Sequence, residues 1–210
     1  MKIQEGCDRY CSYCIIPSVR GPVRSMPLEA VAAEAARLGR AGYREIVVTG
    51  IHLASYGRGT AETLMDAIRA VHDAPGVRRV RLGSLEPVTV TEDFARKASE
   101  LPGLMRHFHL SLQSGSAGVL KRMRRRYTPG EYRAAVETLR RFMPDCAVTT
   151  DVITGFPAKR RRNLPRRWTS YSRSAWPAST FFLTPGARAP WPTPCLTRWT
   201  RPPGGPGQRN

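Results

Sequence analysis

Gly6-Cys7-Asp8-Arg9-Tyr10-Cys11-Ser12-Tyr13-Cys14 sets three thiols in a C-x3-C-x2-C run directly after the first apolar residues of the chain. Thiolates this close together can reach one small metal centre, and soft sulfur donors favour iron–sulfur clusters or zinc. Structural zinc wants four ligands, yet His52 is distant in sequence and Cys146 and Cys195 are isolated. A cubane cluster held by three thiolates leaves one iron open, and a chelating amino acid can occupy that position. The spacing therefore points to a cluster, with zinc and plain buried thiols as the alternatives. Five cysteines, three of them within eight residues, fit poorly with the disulfide framework of a secreted domain.

Such a loop needs a scaffold, and the first 157 residues read as one. Short apolar, β-branched runs at 45–49, 77–82, 107–112 and 146–153 are strand candidates, each bounded by Gly, Pro or Ser. Helical patterns lie between them. Leu28, Val31, Ala32, Ala35 and Leu38 share one face, as do Leu64, Ile68 and Val71, and again Tyr132, Ala135, Val136, Leu139 and Phe142. Ser25 before Pro27 is the expected cap of the first of these helices, and 73–76 closes the second. Strands alternating with helices imply parallel βα units and an open sheet or a barrel. The segments after the strands, GIHLASYG (50–57), GSLEP (83–87), QSGS (113–116) and TGFP (154–157), are small or polar. In a parallel barrel these ends gather on the face that holds ligands.

Charge divides the chain. It holds 34 Lys and Arg against 16 Asp and Glu, a formal +18, and 41% of its residues are apolar, enough for one core. Eleven of those basic residues, no acidic residue, nine of the 18 Pro and all four Trp fall at 158–210, which shows no helical or alternating period. Residues 1–157 are thus expected to be the folded core and 158–210 a basic, disordered tail. No run of about 18 apolar residues exists. Met1 opens straight onto KIQEGCDRYC without a leader, so a cytoplasmic location away from any membrane is expected. The excess positive charge calls for a polyanionic partner.

KIQEGCDRYCSYCIIPSVRG (2–21) carries the cysteine spacing of the radical S-adenosylmethionine (SAM) superfamily, which it resembles. That resemblance implies a partial (βα) barrel, a [4Fe–4S] cluster on Cys7, Cys11 and Cys14, and SAM bound to the open iron by its amino and carboxylate groups. One electron from an external donor then cleaves the sulfonium bond to give a 5′-deoxyadenosyl radical. Together with HFHLSLQSGS (107–116), VLKRMRRRYT (119–128) and TTDVITGFP (149–157), the segment is similar to the tRNA methylthiotransferases. GIHLASYG resembles the branch that methylthiolates C2 of N6-threonylcarbamoyladenosine at position 37 of tRNA. The implied cofactor-binding residues are Tyr13 beside the adenine, the backbone at Gly50 near the methionyl group, and Ser84, Glu86, Gln113, Ser114 and Asp151 around SAM and the target base.

Each has a structural alternative. Tyr13 is also an ordinary aromatic plug under a loop, Glu86 an ion-pair partner of a nearby Arg, and Gln113 and Ser114 caps of a helix from Ala117. Arg122, Arg124, Arg125 and Arg126 read as a solvated basic face or as phosphate contacts for tRNA.

The chain also departs from the family. The family's N-terminal domain, with a second cluster, and its C-terminal RNA-binding barrel have no counterpart in the sequence, and after Pro157 the expected Gly-Glu-Thr is replaced by Ala158-Lys159-Arg160. Codons for a family-like GETEEEFAATLDFL, read one nucleotide late, give the string at 158–171, and undoing the same shift turns 179–185 (STFFLTP) into the sixth-strand-like IHVFPYS. A frameshifted tail is the expectation, with a fifth strand whose edge lies exposed and impaired methylthiolation as consequences. A natural tail with Trp interleaved for single-strand binding is the alternative. Two other functions also fit: a radical SAM enzyme with a different substrate, and a non-catalytic basic RNA-binding fragment.

Overall fold

The computed structural model describes residues 1–154, Phe156 and 178–183. Its strands are β1 (Lys2–Glu5), β2 (Arg24–Ser25), β3 (Glu45–Gly50), β4 (Arg79–Leu82), β5 (His107–His109), β6 (Ala147–Thr154) and β7 (Ala178–Leu183). The helices are α1 (Ile16–Arg20), α2 (Leu28–Arg40), α3 (Leu64–His72), α4 (Glu92–Ser99), α5 (Ala117–Arg122) and α6 (Pro129–Phe142). β1, β3 and β4 pair in parallel, as do β5, β6 and β7. Parallel bridges at Val80–Leu104 and Leu85–Leu110 join the two sets. Six parallel strands thus follow one another round a curved sheet, with β2 antiparallel to β1 at one edge and β7 at the other. This is the expected partial (βα) barrel.

Alternation along the strands decides which residues make the core. Ile46, Val48, Val80, Leu82, Phe108, Leu110, Val148 and Val152 are all buried, packed with the apolar stripes of α2, α3, α4 and α6. Burying each such side chain is worth about 1.5–3 kcal/mol. Their neighbours in sequence turn to the inner face, which is polar. There Glu45 pairs with Arg79 and Arg81, and Thr149 hydrogen-bonds both His107 and His109. Within the expected stripes, Val31 and Ala35 of α2, Leu64, Ile68 and Val71 of α3 and Tyr132, Ala135, Val136 and Leu139 of α6 are buried, with Leu28, Leu38 and Phe142 partly buried against them, and Asp73 caps α3 at its C-terminus.

Three details differ from expectation. Ser25 does not cap α2: Pro27 stands at that position without a side-chain bond, while Ser25 Oγ accepts from Gly57 N at 3.0 Å. The short strand β2 therefore takes Ser25 and pins the β3–α3 connection. α4 was not evident as a helix, because its buried face is only Phe94, Ala95 and Ala98; Thr91 starts it by accepting from Phe94 N. The edge of β6 is not bare, since 178–183 pairs with it in parallel from Thr149 to Thr154. The rest of the expected tail, including Trp168, Trp176, Trp191, Trp199 and Cys195, lies outside the described residues, as do Gly155 and Pro157.

Candidate active site

The loop leaving β1 begins with a turn that only glycine can make. Gly6 has φ +72°, and a Cβ there would stand 1.8 Å from the Pro22 carbonyl oxygen. The chain then runs away from the sheet edge and is tied at both ends. Cys7 N donates to Gly21 O at 3.2 Å, Cys14 N to Cys11 O at 3.0 Å, and Ser12 N and Oγ to the carbonyls of Met123 and Arg122. These bonds hold Cys7, Cys11 and Cys14 around one cavity of about 130 Å³ at the C-terminal ends of β1, β3 and β4.

All three thiols are free of disulfides. Burial pushes the Cys7 thiol up, so a thiolate there calls for a metal beside it. Among the described residues no three His, Cys, Asp or Glu side chains converge on a single-ion position. Three soft donors around a shared cavity fit a [4Fe–4S] cluster.

Four of the other expected residues sit elsewhere, and two share the cavity with the thiols and Tyr13. Ser84 and Glu86 line it. Gly50 stands next to Ile51, which does line it; a Cβ on Gly50 would meet Gln4 Cβ at 2.8 Å, so β3 approaches buried Gln4 closely there. Gln4 Oε1 in turn accepts from His52 N at 2.6 Å. Gln113, at φ +61°, bridges β6 through its backbone, donating to Asp151 O and accepting from Ile153 N. Ser114 is fully buried, and its Oγ accepts from Ser116 N at 3.3 Å. The N-cap of α5 is Ser116, so neither Gln113 nor Ser114 caps it. Asp151 faces His109 across 3.5 Å on the inner sheet face. Tyr13 packs edge-to-face on Phe156, with ring centroids 6.3 Å apart.

The alternative reading of Glu86 as an ion-pair partner of a nearby Arg is what the structure shows, and the pair extends into a network whose other members the residue pattern did not reveal. Glu86 is 6% exposed, with Arg9 Nη2 at 2.9 Å, His52 Nε2 at 3.1 Å and Arg125 Nη1 at 3.5 Å. Burial pushes the Glu86 carboxyl up, but His52 and the two guanidinium groups outweigh it and hold it below the ordinary glutamate value. Arg9 Nε donates to His52 Nε2 at 3.2 Å, so that nitrogen is an acceptor, and Glu86 Oε2 is held by charge rather than by a hydrogen bond. Arg125 also donates to Cys11 Sγ at 3.4 Å and to Tyr127 Oη at 2.9 Å, over whose ring it lies. Arg122, Arg124 and Arg126 are exposed, as the solvated reading of that run has it. The turn at Arg124 (φ +58°), between buried Met123 and Tyr127, sends Arg125 inward.

An incompletely closed parallel βα barrel with three free thiols at the ligand end of its first strand defines a cluster-bearing barrel of the radical-enzyme type. The family model of the radical SAM superfamily matches residues 1–164, and the chain belongs to that superfamily. Its cofactors are accordingly a [4Fe–4S] cluster and SAM, which resolves the choice that spacing left between cluster and zinc. The chain is 40% identical over 160 residues to the threonylcarbamoyladenosine tRNA methylthiotransferase MtaB of Thermotoga maritima, and 43% identical over 159 residues to that of Chlamydia pneumoniae. Each match covers 76% of this chain but only 37% and 38% of the relative, so the chain spans under two fifths of the length of these curated relatives. Among solved structures, the radical SAM methyltransferase TsrM of Kitasatospora setae superposes with a TM-score of 0.70 at 18% identity, over 87% of this chain and 36% of that one. The [FeFe]-hydrogenase maturase HydG superposes at 0.51 with 17% identity, over 74% and 34%. These two likenesses show the shared fold. Among the described residues, no helix is long and apolar enough to cross a membrane.

Proposed function

We propose that residues 1–157 are the SAM-cleaving core of a methylthiotransferase acting on N6-threonylcarbamoyladenosine at position 37 of tRNA. The observation that carries this reading is the gathering of Cys7, Cys11, Cys14, Tyr13, Ser84 and Glu86 around one cavity, in a chain 40–43% identical to enzymes of that name. When bound, the cluster and SAM supply a carbon-centred radical able to take a hydrogen from an unreactive C–H bond.

The chain's own residues do the rest. Cys7, Cys11 and Cys14 would hold the cluster through three thiolates, one fewer than its irons, so that a position would stay free for the cofactor. Ile16, Ile51 and Leu85 give the cavity its apolar wall and keep water from the reacting carbon. Glu86, fixed by Arg9 and His52, and Ser84 present the polar groups for the cofactor's donors. Tyr13 borders the adenine side, backed by Phe156. The exposed Lys121, Arg122, Arg124 and Arg126, neighbours in sequence of cavity-lining Arg125, offer contacts to the tRNA backbone.

The test is anaerobic reconstitution with iron and sulfide, a low-potential external electron donor and tRNA transcripts with or without the threonylcarbamoyl group. Release of 5′-deoxyadenosine that rises with the modified tRNA supports the reading, and release indifferent to tRNA assigns a different substrate. Colourless protein whose RNA affinity is unchanged by Cys7→Ala establishes a non-catalytic RNA-binding fragment instead.

A further inference from the structure

The network around Glu86 does not balance its own charge. Arg9, Arg125 and Glu86 are 13%, 9% and 6% exposed at their side chains, so two guanidinium groups face one carboxylate in a site largely shielded from water. The acid within the cysteine loop adds nothing to this count, because Asp8 is paired with Arg58. One positive charge is left over, and the atom that delivers it to the thiols is Arg125 Nη1, 3.4 Å from Cys11 Sγ.

We propose that Arg125 is a positioning residue that poises the cluster for reduction, acting through Cys11 and restrained by Glu86. The inference rests on the radical SAM reading of the cysteine loop. In the step concerned, the cluster accepts one electron from an external low-potential donor such as dithionite, which is oxidised; no bond forms or breaks. The cluster with its three thiolates gains one unit of negative charge, so a buried cation at a ligand sulfur stabilises the reduced form more than the oxidised one. A hydrogen bond to the sulfur acts in the same direction by drawing electron density from the ligand. Glu86 opposes both: it neutralises part of the guanidinium charge while fixing where the group points. Tyr127 completes the hold, accepting from Arg125 Nε beneath its stacked plane.

The experiment is potentiometric reduction of the reconstituted full chain, read by electron paramagnetic resonance of the reduced cluster alongside iron content. With iron content equal to the parent's, Arg125→Met is expected to lower the reduced-to-oxidised ratio at a fixed potential about tenfold, which is ~59 mV for a one-electron couple. Glu86→Gln, which keeps the shape of the side chain, is expected to raise it. Arg125→Lys keeps the charge without the planar fork and is expected to lie between Arg125→Met and the parent. Exposed Arg37→Met on α2 serves as the control and leaves the ratio where it was. Opposite signs for Arg125→Met and Glu86→Gln support the proposal, since general damage to the site moves both the same way. An unchanged ratio in iron-replete Arg125→Met, or a common sign for the two variants, overturns it. Should Arg125→Met hold no iron, Glu86→Gln decides alone: a raised ratio supports the proposal, and an unchanged or lowered one overturns it. A parent protein that binds no cluster instead removes the functional reading, and this inference with it.

Discussion

Among the arginine–carboxylate pairs of this molecule, those lining the cysteine cavity contrast with those on the outer surface of the helices. On α2 and α4, Arg37 pairs with Glu34, and Arg96 with Asp93 and Glu100, all largely in solvent. In the cavity, Arg9 and Arg125 share Glu86 where water is excluded. The residue types are the same, yet the consequences differ. Solvent screens the outer pairs and they can be lost at little cost. The inner ones are mutually dependent, because removing one partner leaves an uncompensated charge in a low-dielectric site. Charge that is costly to keep dry and sits against a ligand sulfur belongs to the chemistry, whereas charge in solvent belongs to solubility and capping.

The largest expected effect comes from the thiols that the inner pairs serve. Cys11→Ala is expected to leave no assembled cluster and no SAM cleavage, checked by iron content and product release. Next comes Glu86→Ala, which strands two buried guanidinium groups; a loss of about 3–5 kcal/mol is expected. For a domain of this size that corresponds to a fall in Tm of roughly 6–20 °C, measurable by calorimetry. A drop as small as that of an exposed pair would erase the distinction between the two regions.

The same carboxylate predicts a pH dependence with a definite sign. Its folded value lies below the ordinary one of about 4.3. The stability it contributes is therefore fully present above that ordinary value and is lost as pH falls below it, through the lower folded value. Glu86→Gln is expected to remove this component, so that acid unfolding of the metal-free variant begins from a lower plateau and falls less steeply below about pH 4.3. An identical acid profile in parent and variant would show that Glu86 is not held in this way.

Smaller effects sharpen the outer side of the comparison. Thr91→Ala removes the hydroxyl that accepts from Phe94 N at the start of α4 and is expected to cost about 1 kcal/mol in chemical denaturation. Arg96→Ala breaks two surface pairs and is expected to leave the unfolding midpoint within error.

Local pattern carried most of the scaffold and the cysteine loop. Four of the six parallel strands followed from short β-branched runs, and the cysteine spacing pointed to a metal centre, since both are properties of adjacent residues. α4 escaped because two of its three buried side chains are alanines. The run at 107–112 yielded a strand of only three residues, although Leu110 and Leu112 stay buried, because the chain beyond His109 continues through single bridges. The inner network was the least legible part. Which of the four arginines between 122 and 126 turns inward depends on a left-handed turn at Arg124, and its partners Glu86 and Cys11 come from loops 39 and 114 residues away. Gly50 was singled out for its backbone near the cofactor; its neighbour Ile51 lines the cavity, and the glycine itself lets β3 approach Gln4.

The central claim is that three thiols on the β1 loop hold a cluster that cleaves SAM. Metal and acid-labile sulfide analysis of anaerobically purified, reconstituted protein, coupled to detection of 5′-deoxyadenosine after reduction, tests it directly. About four irons and four sulfides per chain, with 5′-deoxyadenosine formed in the parent and absent in Cys11→Ala, is the predicted result. Tetrahedral zinc at the three cysteines, or an iron-replete protein that leaves SAM intact, would contradict it.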